Sequence, residues 1–246
     1  EAASGATVKL TADATGNGIK INKNITIDLG GNTYTIDGTL VGSPNTQTLA
    51  FQLLKGNITI KGGTITSTNA KMLIQNYSNL TLEGVTLDGT QSNVMQYVLS
   101  NNCGDVEINN STIKANDGVV AFDVCDFQSY ATPVVTVNNS TIVGEIEIST
   151  DKNDSTAGDK LTLNLVSGNF DEATLDVQEK TAAVTKDTSI KLDAPKDYKW
   201  DGDKLVAKVY VAENTTTGEQ YESLEEAVKE AASGATVKLT ADATGN

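Results

Sequence analysis

The sequence predicts an all-β solenoid, a chain wound into coils of short strands stacked in parallel, and three observations carry that expectation. A strand triplet recurs down the chain. Within each triplet apolar and polar residues alternate. The composition is rich in Thr, Asn, Gly and Asp and contains only 5 % aromatic residues, which suits short strands joined by many tight turns.

The triplets read NITIDLGGNTYTIDG from Asn24, NITIKGGTITST from Asn57, NLTLEGVTLDGT from Asn79, DVEINNSTIKAN from Asp105, VVTVNNSTIVGE from Val134 and KLTLNLVSGNF from Lys160. Their first apolar positions are Ile25, Ile58, Leu80, Val106, Val135 and Leu161, so the step is longest from Ile25 to Ile58 and shortest from Ile58 to Leu80. A strand pattern with a period of roughly 20 to 30 residues marks a solenoid. The unequal steps measure loop insertions at the corners of a regular stack. Ile25, Ile27 and Leu29 alternate with Thr26 and Asp28, so one face is buried and the other wet. Between triplets, 49–54, 72–77, 95–100 and 119–124 supply the remaining strands of a three-strand coil. Asn109, Asn110, Asn138 and Asn139 stand where a sharp corner needs left-handed backbone.

The order of elements divides the chain into β-solenoid rungs at 1–170, a β junction at 171–219, and a capping helix with a further first rung at 220–246. In the junction, Asp201 and Gly202 mark a hairpin between YKW and KLVAKV, with Trp200 packing on it. The helix is expected within Tyr221–Gly234. Ser223 is its N-cap, Glu226 the capping-box partner and Gly234 the stop, and Leu224, Ala227, Val228 and Ala231 form one apolar stripe. A solenoid leaves an open end rung, and such a helix is expected to plug it.

Glu1–Asn17 and Glu230–Asn246 are the same seventeen letters, EAASGATVKLTADATGN. The second copy follows the helix directly, so the natural unit is expected to be a 229-residue repeat, the length of Glu1–Lys229, that runs into its successor.

Charge narrows the partners. All 18 basic residues are Lys, His is absent, and 32 acidic residues bring the formal charge to -14. Such a surface repels nucleic acid and anionic membranes. Apolar runs are far too short to span a bilayer, so no membrane insertion is expected in this segment. If the protein is exported, its signal lies outside this window.

The stretches GEQYESLEEAVKEAASGATVKLTAD, IKINKNITIDLGGNTYTIDG and DYKWDGDKLVAKV resemble the tandem pectin-lyase-like repeats, right-handed parallel β-helices, of large bacterial and archaeal cell-surface proteins often called adhesin-like. The resemblance implies an extracellular, cell-surface repeat protein and carries over no catalytic residues. The enzymes sharing that fold are similar in relying on Arg, His or acidic clusters. Arg and His are missing, which leaves carboxylates such as Asp28, Asp37, Glu83, Asp88 and Glu107, and solvated carboxylates on an acidic coil are the plainer reading. The chain is therefore expected to be no enzyme.

Other candidates follow from local patterns. Asp151, Asn153, Ser155 and Asp159 could offer oxygens to calcium, though Thr156 stands where the loop wants Gly; otherwise no cofactor is expected. Cys103 and Cys125, about one coil apart in the sequence, could bridge adjacent coils or simply pack. Asn-x-Ser/Thr sequons at Asn24, Asn57, Asn76, Asn79, Asn110, Asn139, Asn153 and Asn214 coincide in part with corners where the coil itself wants Asn. Interrupted Thr columns argue against ice binding. Two functions remain: a structural unit of an extracellular fibre, stalk or sheath whose partners are copies of itself, serving surface attachment or cell-cell contact, or a cell-surface β-helix that binds or, on the weaker of these readings, processes carbohydrate. The second would use the group Tyr77, Tyr97, Phe122, Phe127 and Tyr130, with Tyr97 and Tyr130 as the glycan-facing residues.

Overall fold

The protein is described by a computed structural model covering residues 2–151 and 161–241. Its strands stack into three columns of parallel neighbours, each one face of a solenoid. The first column runs Thr7–Lys9, Ile25–Asp28, 57–61, 79–83, Asp105–Asn109, Val134–Asn138, Thr162–Leu165 and Ala183–Lys186. The second runs Ala14–Gly16, Thr33–Ile36, 64–67, 86–88, Thr112–Lys114, 140–143 and 168–172. The third runs Ile19–Ile21, Leu49–Leu53, Met72–Asn76, Tyr97–Asn101, Val120–Asp126, 145–150 and 174–177. All six triplets and all four intervening strand segments fall in these columns, the sixth shifted by two places, so that Leu163 and not Leu161 stands beside Val135.

Register explains the core. Ile58, Leu80, Val106, Val135 and Leu163 stand directly above one another, each no more than 1 % exposed. Because side chains alternate across a strand, the triplet places two such residues inward and keeps Thr or a charge outward. On the third face Phe51, Ile74, Leu99, Phe122 and Ile146 form the matching column. Burying one such side chain contributes roughly 1.5–3 kcal/mol, so a coil that would be marginal alone is held by its neighbours.

The corner between the first two faces is left-handed in successive coils. Gly62 and Gly84 have φ of +59° and +62°, and the next two coils use Asn110 and Asn139 at +51° and +46°. Asn is among the few non-glycine residues that visit this region readily. Here its side chain also ties the coils together: Asn139 Nδ2 donates to Asn110 Oδ1 at 2.8 Å, and Asn110 Nδ2 to Glu83 Oε1 at 2.7 Å. A second ladder precedes the triplets, where Asn57 N–H donates to Asn24 Oδ1, Asn79 Nδ2 to Asn57 Oδ1 and Asp105 N–H to Asn79 Oδ1.

Parallel pairing continues past residue 170, through Val177 and Lys186. The segment beyond it closes the solenoid: Tyr198–Asp201 and Lys204–Ala207 form the expected hairpin, with its turn at 202–203, and Lys204 pairs antiparallel with Thr185. Trp200 packs on the solenoid core, its indole N–H donating to Leu192 O at 2.8 Å and the Lys186 ammonium 5.0 Å from its ring centroid. An antiparallel lid uses up the strand edge that a parallel stack would leave exposed.

The helix α1 spans Leu224–Glu230, shorter than expected. Ser223 caps it, its hydroxyl accepting from Glu226 N–H at 3.1 Å, and Ala231 is already extended at φ -67°, ψ 129°. The turn that follows, with Gly234 at φ +85°, redirects the chain into strand Val237–Leu239. Only Ala227 of the apolar stripe is buried in the helix; Leu224 and Val228 are 41 % and 60 % exposed. Ala227 packs with Ala212, Tyr221 and Val237 on a small antiparallel sheet of Ala212–Asn214, Glu219–Tyr221 and Val237–Leu239. The helix therefore plugs neither end of the solenoid in this chain.

Candidate functional site

The third face carries most of the polar chemistry. Its outward pleat stacks Lys20, Gln52, Gln75, Ser100, Asp123, Glu147 and Asp176 in register. Most solenoid faces would leave such a column in water, yet Gln52, Ser100 and Asp123 are 4–5 % exposed. Asp123 accepts from the Asn101 N–H and from the Ser100 hydroxyl, the latter at 3.1 Å. Those bonds favour the carboxylate, but burial outweighs them and pushes its pKa up to about 8. Beside it, burial and the nearby Glu147 carboxylate push the Tyr97 phenol up to about 12; Tyr97 Oη donates to Glu147 Oε1 at 3.4 Å.

Glu145, Glu147 and Asp176 bring carboxylate oxygens within 4.8 Å of one another, the group among the described residues whose donor set suits a hard cation. Burial, then the charges of Asp176 and Glu147, raises Glu145 above the usual carboxylate range. Gln178 Nε2 already donates to Asp176 at 2.8 Å and to Glu147 at 3.4 Å, so part of that charge is met from within the chain. No feature of the sequence singled out this group, because Asp176 comes from the next coil and meets Glu145 and Glu147 only through register. Of the calcium-loop candidates only Asp151 is described; Asn153, Ser155 and Asp159 lie outside the described residues.

Three of the five carboxylates weighed for acid–base work, Asp28, Glu83 and Asp88, hold neighbouring coils together. Asp28 pairs with Lys61 at 3.5 Å, Asp88 with Lys114 at 2.9 Å, and Glu83 accepts from Asn110. Glu107 stands between Thr81 and Thr136. Each tie runs between adjacent coils.

The five aromatic residues do not form one platform. Phe122 lies in the core at 0 % exposure and Tyr97 faces Glu147. Tyr77, Phe127 and Tyr130 pack as a trio, with ring centroids 4.9 Å apart for Tyr77 and Tyr130 and 5.9 Å for Tyr77 and Phe127. Of these, Tyr130 is 44 % exposed.

Cys103 and Cys125 are both free thiols, which corrects the bridge considered from their spacing. Register is the reason. Asn101 pairs with Val124, so Cys125 lies one place beyond that pair while Cys103 has already entered the corner after its strand. Burial pushes the Cys125 thiol up to about 11. Two sequons are also accounted for by packing, since Asn76 and Asn214 are 0 % and 2 % exposed.

The ends of the solenoid are unlike each other. The hairpin lid closes one; at the other, Thr7–Lys9 pairs on one edge only among the described residues, with Ile25–Asp28, above an apolar cavity of about 580 Å³. Fold and site together define a parallel β-solenoid closed at one end by the hairpin and, among the described residues, open at the other, with a helix-bearing sheet after the lid. No protein-family model, no curated protein and no solved structure matches the chain.

Proposed function

We propose that this chain is a structural repeat unit of an extracellular fibre, stalk or sheath, built from near-identical 229-residue units in tandem, and that it acts by reach and attachment at a cell surface without catalysis. The pectin-lyase-like, adhesin-like identity belongs to the same proposal. The observation that carries it is the seventeen-residue copy. The sequence of the first solenoid rung reappears, letter for letter, after the lid and the helix α1, where a following solenoid would begin. The net charge of -14 adds colloidal repulsion between fibres and suits an exposed surface. Electron microscopy of native material tests the reading: filaments with an axial repeat equal to one unit are expected, and dispersed single units would overturn it.

A second reading, carbohydrate binding, draws on Tyr130, an exposed ring steadied by Tyr77 and Phe127. A glycan-array signal abolished by Tyr130→Ala supports it, and a blank array with the native chain removes it.

A further inference from the structure

The two copies of EAASGATVKLTADATGN make opposite halves of one set of contacts. Their turns are the same: Ala6 N–H donates to Ala3 O at 3.2 Å and Ala235 N–H to Ala232 O at 3.0 Å, and Gly5 and Gly234 have φ of +82° and +85°. Beyond the turn they diverge. In the first copy Thr26 N–H donates to Ala6 O at 3.0 Å and Leu10 N–H to Asp28 O at 2.8 Å. In the second, Thr215 N–H donates to Thr236 O and Thr240 N–H to Val211 O, both at 2.9 Å. Thr236 and Thr240 are the twins of Thr7 and Thr11. Successive residues of a strand aim their backbone groups at opposite neighbours, so the two copies bond through opposite edges.

The side chains divide in the same way. Val8 is 44 % exposed, whereas its twin Val237 packs against Ala212, Tyr221 and Ala227; Leu10 packs on the solenoid core, whereas its twin Leu239 is 48 % exposed. What one copy leaves open the other covers.

Resting on the tandem reading, we infer that these halves are a single strand in the continuous protein. TVKLT pairs antiparallel with Ala212–Asn214 of the preceding unit on one edge and parallel with Ile25–Asp28 of its own unit on the other. The occupant of the open end is thus the Val211–Glu230 segment of a second copy of this chain. The strand also says where α1 goes. Val237 faces Ala227 of the helix, and its twin Val8 lines the open cavity with Leu10, Ile19, Ile25 and Phe51, so helix and cavity share one side of the strand. Leu224 and Val228, exposed here one helical turn apart, then close the apolar mouth. The joint between units is a shared strand under a helical plug, which transmits bending and twist where a loose linker would not.

The test is a chain in which residues 18–246 follow Asn246, compared with the 246-residue chain by amide hydrogen exchange. In the shorter chain the Lys238 and Thr240 amides exchange slowly and those of Val237 and Leu239 rapidly, because the latter point to an edge with no partner among the described residues. In the two-unit chain all four at the joint are slow. Rapid exchange at Val237 and Leu239 in both chains overturns the shared strand. Val228→Gln gives a second reading: it lowers the melting temperature of the two-unit chain and leaves that of the shorter chain unmoved, and an equal effect on both, or none, counts against the plug. Dispersed native material would end the fibre proposal without altering these rates, and filaments with rapid exchange at the joint would end the shared strand alone.

Discussion

Replacing Asp123 with Asn should change how the protein's stability depends on pH. The carboxyl is 4 % exposed, and burial raises it from 3.8 to about 8 in the folded chain. The unfolded chain therefore releases this proton first as pH rises. The contribution of the neutral acid is complete below about pH 4 and is lost between about pH 4 and pH 8, at about 1.4 kcal/mol per pH unit. By pH 7 the loss is on the order of 4 kcal/mol, a large share of the 5–15 kcal/mol typical of a domain. An Asn side chain keeps an oxygen for the Asn101 N–H and turns an amide toward the Ser100 hydroxyl, which can accept from it. It has no proton to lose. Urea midpoints at pH 4, 5.5 and 7 should show the variant equal to the native chain at pH 4 and more stable by about 4 kcal/mol at pH 7. Parallel pH profiles for the two proteins would refute the reasoning, since they would mean that Asp123 titrates alike folded and unfolded.

Leu99→Ala empties a site of 0 % exposure between Ile74 and Phe122, and should cost about 3 kcal/mol in a urea titration; less than about 1 kcal/mol would mean that the column collapses to fill it. At Asn110, with φ +51° and side-chain bonds to Glu83 and Asn139, Val should destabilise by about 2 kcal/mol and Gly by less, because Gly keeps the corner and loses only the ladder. Equal losses would show that handedness is not what Asn supplies there. A reductant should leave the melting midpoint unchanged. Thiol titration should find the half-buried Cys103 reacting in the folded chain and the buried Cys125 only after unfolding; a chain with no titratable thiol would mean a bridge.

Much of the fold was legible because a solenoid repeats its instructions. Ile25, Ile58, Leu80, Val106 and Val135 each sit two residues from another apolar residue, and that local alternation is enough to choose strand and inward face. The Asn pairs also marked the left-handed corners, although only Asn110 and Asn139 take that conformation, while Asn109 and Asn138, expected there too, end the preceding strands. The carboxylate group was not legible. Glu145 and Glu147 share a strand, but Asp176 reaches them only through a register with a bulge between Thr141 and Val143. The buried Asn76 and Asn101, with Asn76 Nδ2 3.4 Å from Asn101 Oδ1, were equally hidden, because in sequence they look like the exposed Asn of any corner. For the cysteines, the spacing from Cys103 to Cys125 matched one coil length, but a shift of one place in register decided against the bridge.

The repeated segment separates the two kinds of information. The identical residues determine the same turn, with Gly5 and Gly234 alike in φ, and a three-residue strand after it, at Thr7–Lys9 and one place later at Val237–Leu239, because those depend on steric preferences within a few residues. Whether that strand then pairs in parallel with Ile25–Asp28 or antiparallel with Ala212–Asn214 is not written in its letters. A strand has two edges and its sequence favours neither, so the partner is chosen by what the rest of the chain brings alongside.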